Sequence, residues 1–271
     1  MSSSSLLRNE IALLFRRRRT WAMLLALGAV PVLMGVAVRL TSGPTNGHGP
    51  PFLDQVVGNG LFVAITGMLV CIPLFLPLTV AVVAGDTIAG EAGAGTLRYL
   101  LTAPVSRPRL LGVKFAVVAI YCLAAAGMVA LSGLGIGALL FPVGPVTLLS
   151  GTTISLGEAL LRVGMIVIYV SVSLLGLAAV GLFVSTLTDV PVGAMAAIAL
   201  LAVTAQILGQ LPQLEWLHPW LFTEHWLGFA DLLRDPIRWM GFGQNILLQG
   251  GYLLVFGALA YGRFASKNVL S

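Results

Sequence analysis

Charge is what this sequence has least of. Lys, Arg, Asp and Glu together make up 9% of its 271 residues, where a soluble domain carries about a quarter. Hydrophobic residues are 58% and the mean hydropathy is +0.99. A chain this short cannot hide so much apolar side chain in one water-surrounded core, so its solvent is a bilayer. Cysteine is also scarce. Cys71 and Cys122 lie inside apolar runs and outside any CxxC pair, which makes them small buried hydrophobes and leaves no disulfide framework or thiolate metal site. No G-x-x-x-x-G-K-[ST] loop occurs, and Gly112-Val-Lys114 opens an apolar run instead of following a strand. ATP hydrolysis by that route is therefore excluded from this chain. Ionisable residues are missing from the middle of every long apolar run. That argues against an ion channel or a proton-coupled carrier and favours a greasy or amphipathic cargo. No internal repeat stands out, which disfavours an inverted-repeat carrier. The net charge of +5 calls for no nucleic acid, because membrane proteins gather Lys and Arg on their cytoplasmic side.

Two intramembrane chemistries fail for want of partners. Gly85-Asp86 resembles the pair used by aspartyl intramembrane proteases, but that mechanism shares a proton between two carboxylates and no second Asp lies in an apolar run. Ala130-Leu-Ser-Gly133 offers a serine with no intramembrane histidine to act as its base. An intramembrane enzyme is the weaker alternative, and a carrier that works without ATP the nearer one. His48, His218 and His225 all fall in connecting segments. His218 and His225 are seven apart, near Glu215 and Glu224, a spacing that could present a metal site on one helix. Pro219 breaks a helix through both, so no metal centre is expected.

What the chain does have is six apolar runs long enough to cross a bilayer, which needs about 20 residues. They are Trp21 to Leu40, Asn59 to Ala84, Phe115 to Leu140, Val163 to Leu187, Pro191 to Leu211 and Gln244 to Gly262. The expected fold is an all-α membrane protein with six transmembrane helices, one domain over residues 1–271. The first run is long enough to span and lacks an A-x-A site, so it reads as a retained helix and not a cleaved signal. With the N-terminus inside, the inner segments carry Arg8, Arg16, Arg17, Arg18, Arg19, Arg98, Arg107, Arg109, Lys114, Arg263 and Lys267, against Arg39, Arg162, Arg234 and Arg238 outside. Both termini are therefore expected in the cytoplasm of a cell that holds this chain in its inner or plasma membrane.

The connections hold the remaining information. Residues 1–20 place Leu6, Leu7, Ile11 and Leu14 before Arg16 to Arg19, the pattern of an interfacial amphipathic helix on anionic membrane lipid. Residues 212–243 hold Trp216, Trp220, Trp226 and Trp239, which predicts short helices lying in, or dipping back into, the outer leaflet. Pro73 and Pro77 should kink the second span and free backbone carbonyls, as a hinge or as a static bend. Gly133 and Gly137, with Ser171, Ser173, Gly176 and Gly181, form small faces for close helix packing or for a second copy. The segment 85–114 mixes two acids with four basic residues. Glu91 to Gly95 reads as a polar turn. Thr96 then caps a short helix through Leu101 or Thr102, Pro104 stops it, and Ser106 caps a second helix that runs on into the third span.

This segment carries a resemblance. Glu91, Gly95-Thr96-Leu97, Leu100 and Leu101, Pro104-Val105-Ser106-Arg107, and Leu110-Leu111-Gly112 with Lys114 resemble the permease subunits of type-2 ATP-binding-cassette (ABC) transporters. The six spans and the tail from Phe264 to Leu270 fit the same layout. The family commonly has further acids after Glu91, where this chain has Ala and Gly. The resemblance implies that the segment is a cytoplasmic coupling helix docked on an ATPase, with Glu91, Gly95, Thr96, Leu97, Arg98, Leu100, Leu101 and Arg107 at the contact. It implies re-entrant helices before the last span and an elbow helix at the N-terminus. It further implies two ATPase subunits that bind ATP and Mg, a second permease chain, no cofactor in this chain, and export of a hydrophobic or amphipathic compound such as a drug or lipid.

Overall fold

The structure is a computed structural model and describes residues 3–41, 58–95, 106–148 and 150–266. Helix α1 (Ser3–Arg16) leads into α2 (Arg18–Thr41), followed by α3 (Leu61–Cys71), α4 (Phe75–Gly93) and α5 (Arg107–Leu140). A two-stranded hairpin, β1 (Val146–Thr147) with β2 (Thr153–Ile154), precedes α6 (Leu156–Ser173), α7 (Leu175–Leu187) and α8 (Pro191–Gly209). Three short 3-10 helices, Pro212–Leu214, His218–Trp220 and Gly228–Leu233, lie before α9 (Met240–Ser266). Among the described residues six helices are long and apolar enough to cross a membrane, with α6 and α7 counting as one of them and α3 as a short apolar addition to α4. The protein is an all-α, multi-pass membrane protein.

Helix α5 is the pillar. Its 34 residues rise about 50 Å, and it packs against α1, α2, α3, α4, α6, α7 and α9. Its inner face, Tyr121, Cys122, Ala125, Ala126 and Val129, is wholly buried. The close approach of α3 is made by glycine. A Cβ at Gly137 would sit 2.0 Å from the Gly60 carbonyl oxygen, and one at Gly133 would sit 2.5 Å from Ala64 Cα. Gly181 of α7 meets Ala84 of α4 in the same way, at 2.6 Å. These small faces are thus filled within the chain. By contrast Leu200 on α8 and Leu247 and Leu254 on α9 are more than two-thirds exposed, as lipid-facing side chains are.

Two spans are broken. In the second, α3 ends and α4 begins around Pro73, and Pro77 stands in the first turn of α4. Proline has no N–H, so Pro77 cannot serve the Pro73 carbonyl four residues back. Gln206 of α8 supplies the missing donor, its Nε2 reaching that oxygen at 2.5 Å. In the fourth span the break is at Leu174. The Gly176 N–H there is taken by Gln249 Oε1 of α9 at 3.0 Å. Gln249 Nε2 donates to the Phe222 carbonyl and to Asn245 Oδ1, and Asn245 Nδ2 donates to Ser173 Oγ. Inside a bilayer such groups must be paired by protein, and here they are.

The segment before α9 folds back into the bundle. Trp226 is buried and its indole N–H donates to the Ser173 carbonyl. Ser173 lies about 25 Å along α6 from Leu156, near the middle of the fourth span. Arg162 straps the same segment down. It is buried, its Nη1 donates to the Leu232 and Arg234 carbonyls, and its Nη2 pairs with Glu158. The expected short helices are present. Trp216, Trp220 and Trp239 stay exposed.

Several boundaries move. The second span does not end at Ala84. It continues to Gly93, so Glu91 stands in its last helical turn and the turn comes at Ala94 and Gly95. Gly95 has φ +68°, the left-handed conformation in which a helix end favours glycine. Asp86 and Glu91 could not stop the helix because each has a cationic partner. The third span starts at Arg107 as the Ser106–Pro108 signal predicts, but the Ser106 side chain makes no capping bond. Arg162, counted as a loop residue ahead of the fourth span, lies inside α6. The helix predicted from Thr96 falls outside the described residues.

Candidate functional site

The end of the bundle that carries α1 is built from ion pairs. Four helices each bring charge to it. Lys114, in the second turn of α5, is buried with its side chain 7% exposed. Its Nζ lies 2.9 Å from Glu10 Oε2 of α1 and 3.1 Å from Glu91 Oε1 of α4. On the next turn of α4, Asp86 Oδ2 accepts from Arg17 Nη1 at 2.5 Å and Arg19 Nη2 at 2.6 Å. Three cations thus face three carboxylates around a cavity of about 40 Å³, into which Thr20, Thr87 and Val117 also project.

Local chemistry explains how each group arrives there. The last carbonyls of α1 are capped by the next helix, Thr20 Oγ1 donating to Leu14 O and Trp21 Nε1 to Phe15 O. That fixes the bend at Arg17 and turns Arg17 and Arg19 towards α4. Ser185 of α7 inserts its hydroxyl into the α4 ladder. It donates to the Gly85 carbonyl and accepts from the Ile88 and Ala89 N–H groups. At Gly85 the backbone of α8 comes so close that a Cβ would sit 2.9 Å from Met195 N. The stretch bearing Asp86 and Glu91 is thereby held between α7 and α8 while its acids face α1 and α5.

Arg107 closes the other side. Its Nη1 donates to the Phe264 and Ala265 carbonyls, and the guanidinium lies 6.0 Å from the centre of the Phe264 ring. A cation on the exposed carbonyls of a helix C-terminus is favourable, and it ties the start of α5 to the end of α9. The arrangement offers no nucleophile beside a base and no oxyanion donors. It joins α1, α2, α4, α5 and α9 where the chain leaves α4 and enters α5.

Of the residues singled out by sequence, Glu91, Gly95 and Arg107 stand at this end, on either side of the segment 96–105. Thr96, Leu97, Arg98, Leu100 and Leu101 lie outside the described residues. Pro73 and Pro77 are some four turns away, at the break in the second span. His218 and His225 do not share a helix, His218 opening the 3-10 helix His218–Trp220 and His225 lying in the turn beyond it. The His218 ring nitrogen lies 3.2 Å from Leu211 O, and the His225 carbonyl accepts from Tyr169. No cluster of three or more metal-ligating side chains occurs among the described residues. The sequence reading missed Lys114 and Glu10 as a pair, and Asn245 and Gln249 altogether. The only signal was a polar residue inside an apolar run, which does not say what it bonds to.

The model of the ABC-2 family transporter protein matches residues 6–188, from α1 to the end of α7 and more than half of the chain. No curated protein matches it.

Proposed function

From the premise that this chain belongs to the ABC-2 transporter family as a membrane permease, we propose that it moves its cargo with energy from ATP hydrolysed on separate subunits. Membership in this family implies an ATPase partner. In the proposed assembly two such ATPases, holding ATP and Mg, dock beneath two permease chains. The end that carries α1 faces the cytoplasm, in keeping with the excess of Lys and Arg there. Residues 96–101 form the docking lever, with Leu97, Leu100 and Leu101 towards the ATPase and Arg98 at the rim. The cargo is a hydrophobic or amphipathic compound that leaves the cell.

The observation that carries this reading is the Lys114 clamp. A lever transmits force only if its two ends are fixed to what it must move. The chain leaves α4 at Gly93, two residues after Glu91, and re-enters the bundle at Arg107. Lys114 is bonded both to Glu91 of α4 and to Glu10 of α1. A push on residues 96–105 would then shift α4 and α5 together and carry α1 with them. Pro73, held by Gln206, is the proposed hinge at the far end of α4.

Purification of the tagged chain in mild detergent tests the reading. An ATPase of the ABC type should co-purify in a fixed ratio. The double substitution Leu97→Asp and Leu100→Asp should release it while the permease still inserts and melts as before. Recovery of the folded chain alone would favour a carrier that works without ATP. Unchanged ATPase association in the double variant would remove the lever from residues 96–101.

A further inference from the structure

The clamp faces one side of α5, and the opposite side of the same turns carries an unfilled groove. It has a volume of about 220 Å³ and runs between the start of α5, the body of α7 and the second half of α9. Its floor is Leu111, Ala179 and Leu182, all buried. Phe115 and Leu253 line its walls. Two missing side chains keep it open. Gly112 on one wall and Gly257 on the other are both helical, and a Cβ at either would meet no atom within 4 Å. Helix stability alone disfavours glycine at such positions, and close helix packing, which uses glycine elsewhere in this bundle, is not its role here. From Leu253 to Tyr261 the groove is about 12 Å long, and it lies along the membrane axis.

The helix ends beside Pro108 and Tyr261 are rich in arginine. Pro108, which lines the groove, is flanked by Arg107 and Arg109. Arg109 and Arg263 are exposed and make no ion pair among the described residues. Glu10, Asp86 and Glu91 are engaged in the clamp, and Asp189, exposed just beyond α7 and beside Gly93, is the further acid at this end. An apolar slot at membrane depth whose end is flanked by the exposed Arg109 and Arg263 matches one chemistry: a hydrocarbon chain below a phosphate.

We propose that this groove binds an anionic phospholipid of the leaflet on the α1 side, one acyl chain between Gly112 and Gly257 and the phosphate at Arg109. The site does not depend on ATP-driven transport. Because the lipid sits between the start of α5 and the end of α9, which Arg107 also joins, its presence would stiffen the helix that leaves the clamp.

Native mass spectrometry of the full chain in mild detergent, titrated with phosphatidylglycerol or phosphatidylcholine, reads this out. One phosphatidylglycerol should be retained per chain, with about a tenfold preference over phosphatidylcholine. Gly112→Leu and Gly257→Leu, which fill the slot from opposite walls, should each lose it. Arg109→Gln should lower phosphatidylglycerol to the level of phosphatidylcholine and leave the latter unchanged. Unshifted melting temperatures identify variants that fold, and either wall alone suffices for the test. Equal retention of the two lipids by the unsubstituted chain overturns the proposal. So does retention by a folded leucine variant, or a leucine variant that loses a second copy of the chain and keeps its lipid.

Discussion

A single buried ammonium group, that of Lys114, is held by two carboxylates from different helices. Removing one partner from a buried ion pair leaves its counterpart desolvated and unpaired, at a cost of about 3 kcal/mol or more, whereas removing all partners costs far less. Lys114→Met should therefore lower the melting temperature of the purified chain, followed by tryptophan fluorescence. The triple variant with Glu10→Gln and Glu91→Gln should recover most of the loss. A single variant that melts like the unsubstituted chain would show that the clamp does not hold the helices. Glycine supplies a second contrast. Gly137→Ala forces a methyl group against the Gly60 backbone, at a cost of about 1–3 kcal/mol. Gly127→Ala, on the same helix with open space around it, should be neutral or slightly stabilising. Equal effects of the two would contradict the close packing of α5 on α3.

The elements are held by side chains that substitute for backbone. Gln206 stands in for the N–H that Pro77 lacks, and Gln249 receives the N–H freed at Gly176. Interhelical hydrogen bonds in membranes average about 0.6 kcal/mol and reach about 1.7. Gln206→Leu, which loses one such bond, should barely change the melting temperature, yet it frees the break at Pro73. If that break is a hinge, ATPase activity of the assembled transporter and cargo movement should uncouple in this variant; unchanged coupling would make it a static bend. Gln249→Leu loses three contacts and should destabilise by about 2 kcal/mol, visible as a fall in melting temperature. These breaks show the limit of reading elements from sequence. Prolines announce a kink in the second span. Nothing local announces the one at Leu174, because its donors and acceptors come from α9 and from the segment around Trp226.

For the whole molecule, orientation decides which end an ATPase can reach, and the cysteines make it easy to measure. Cys71 and Cys122 are completely buried, so the unsubstituted chain should not react with a membrane-impermeant maleimide. Gln213→Cys, placed in the exposed turn after α8, should label in intact cells. Asn9→Cys on the exposed face of α1 should label only after the membrane is opened. The reverse pattern would invert the molecule and remove the cytoplasmic lever.

Hydropathy and charge are sums along the chain, so six spans, their approximate limits and the basic character of one end were legible without a fold. So were the proline break and the short helices before the last span, since proline chemistry and aromatic content act locally. Which polar groups meet is not a local property. Lys114 and Glu10 are 104 positions apart, and Gln249 and Gly176 are 73 apart. Their pairing depends on how each long helix is rotated about its axis. That rotation is set by where glycine lets backbones touch, at Gly60 against Gly137, Ala64 against Gly133 and Ala84 against Gly181. The helix ends near Asp86, Glu91 and Arg162 moved for the same reason: a charge ends a span only while it is alone, and tertiary structure gave each of these a partner.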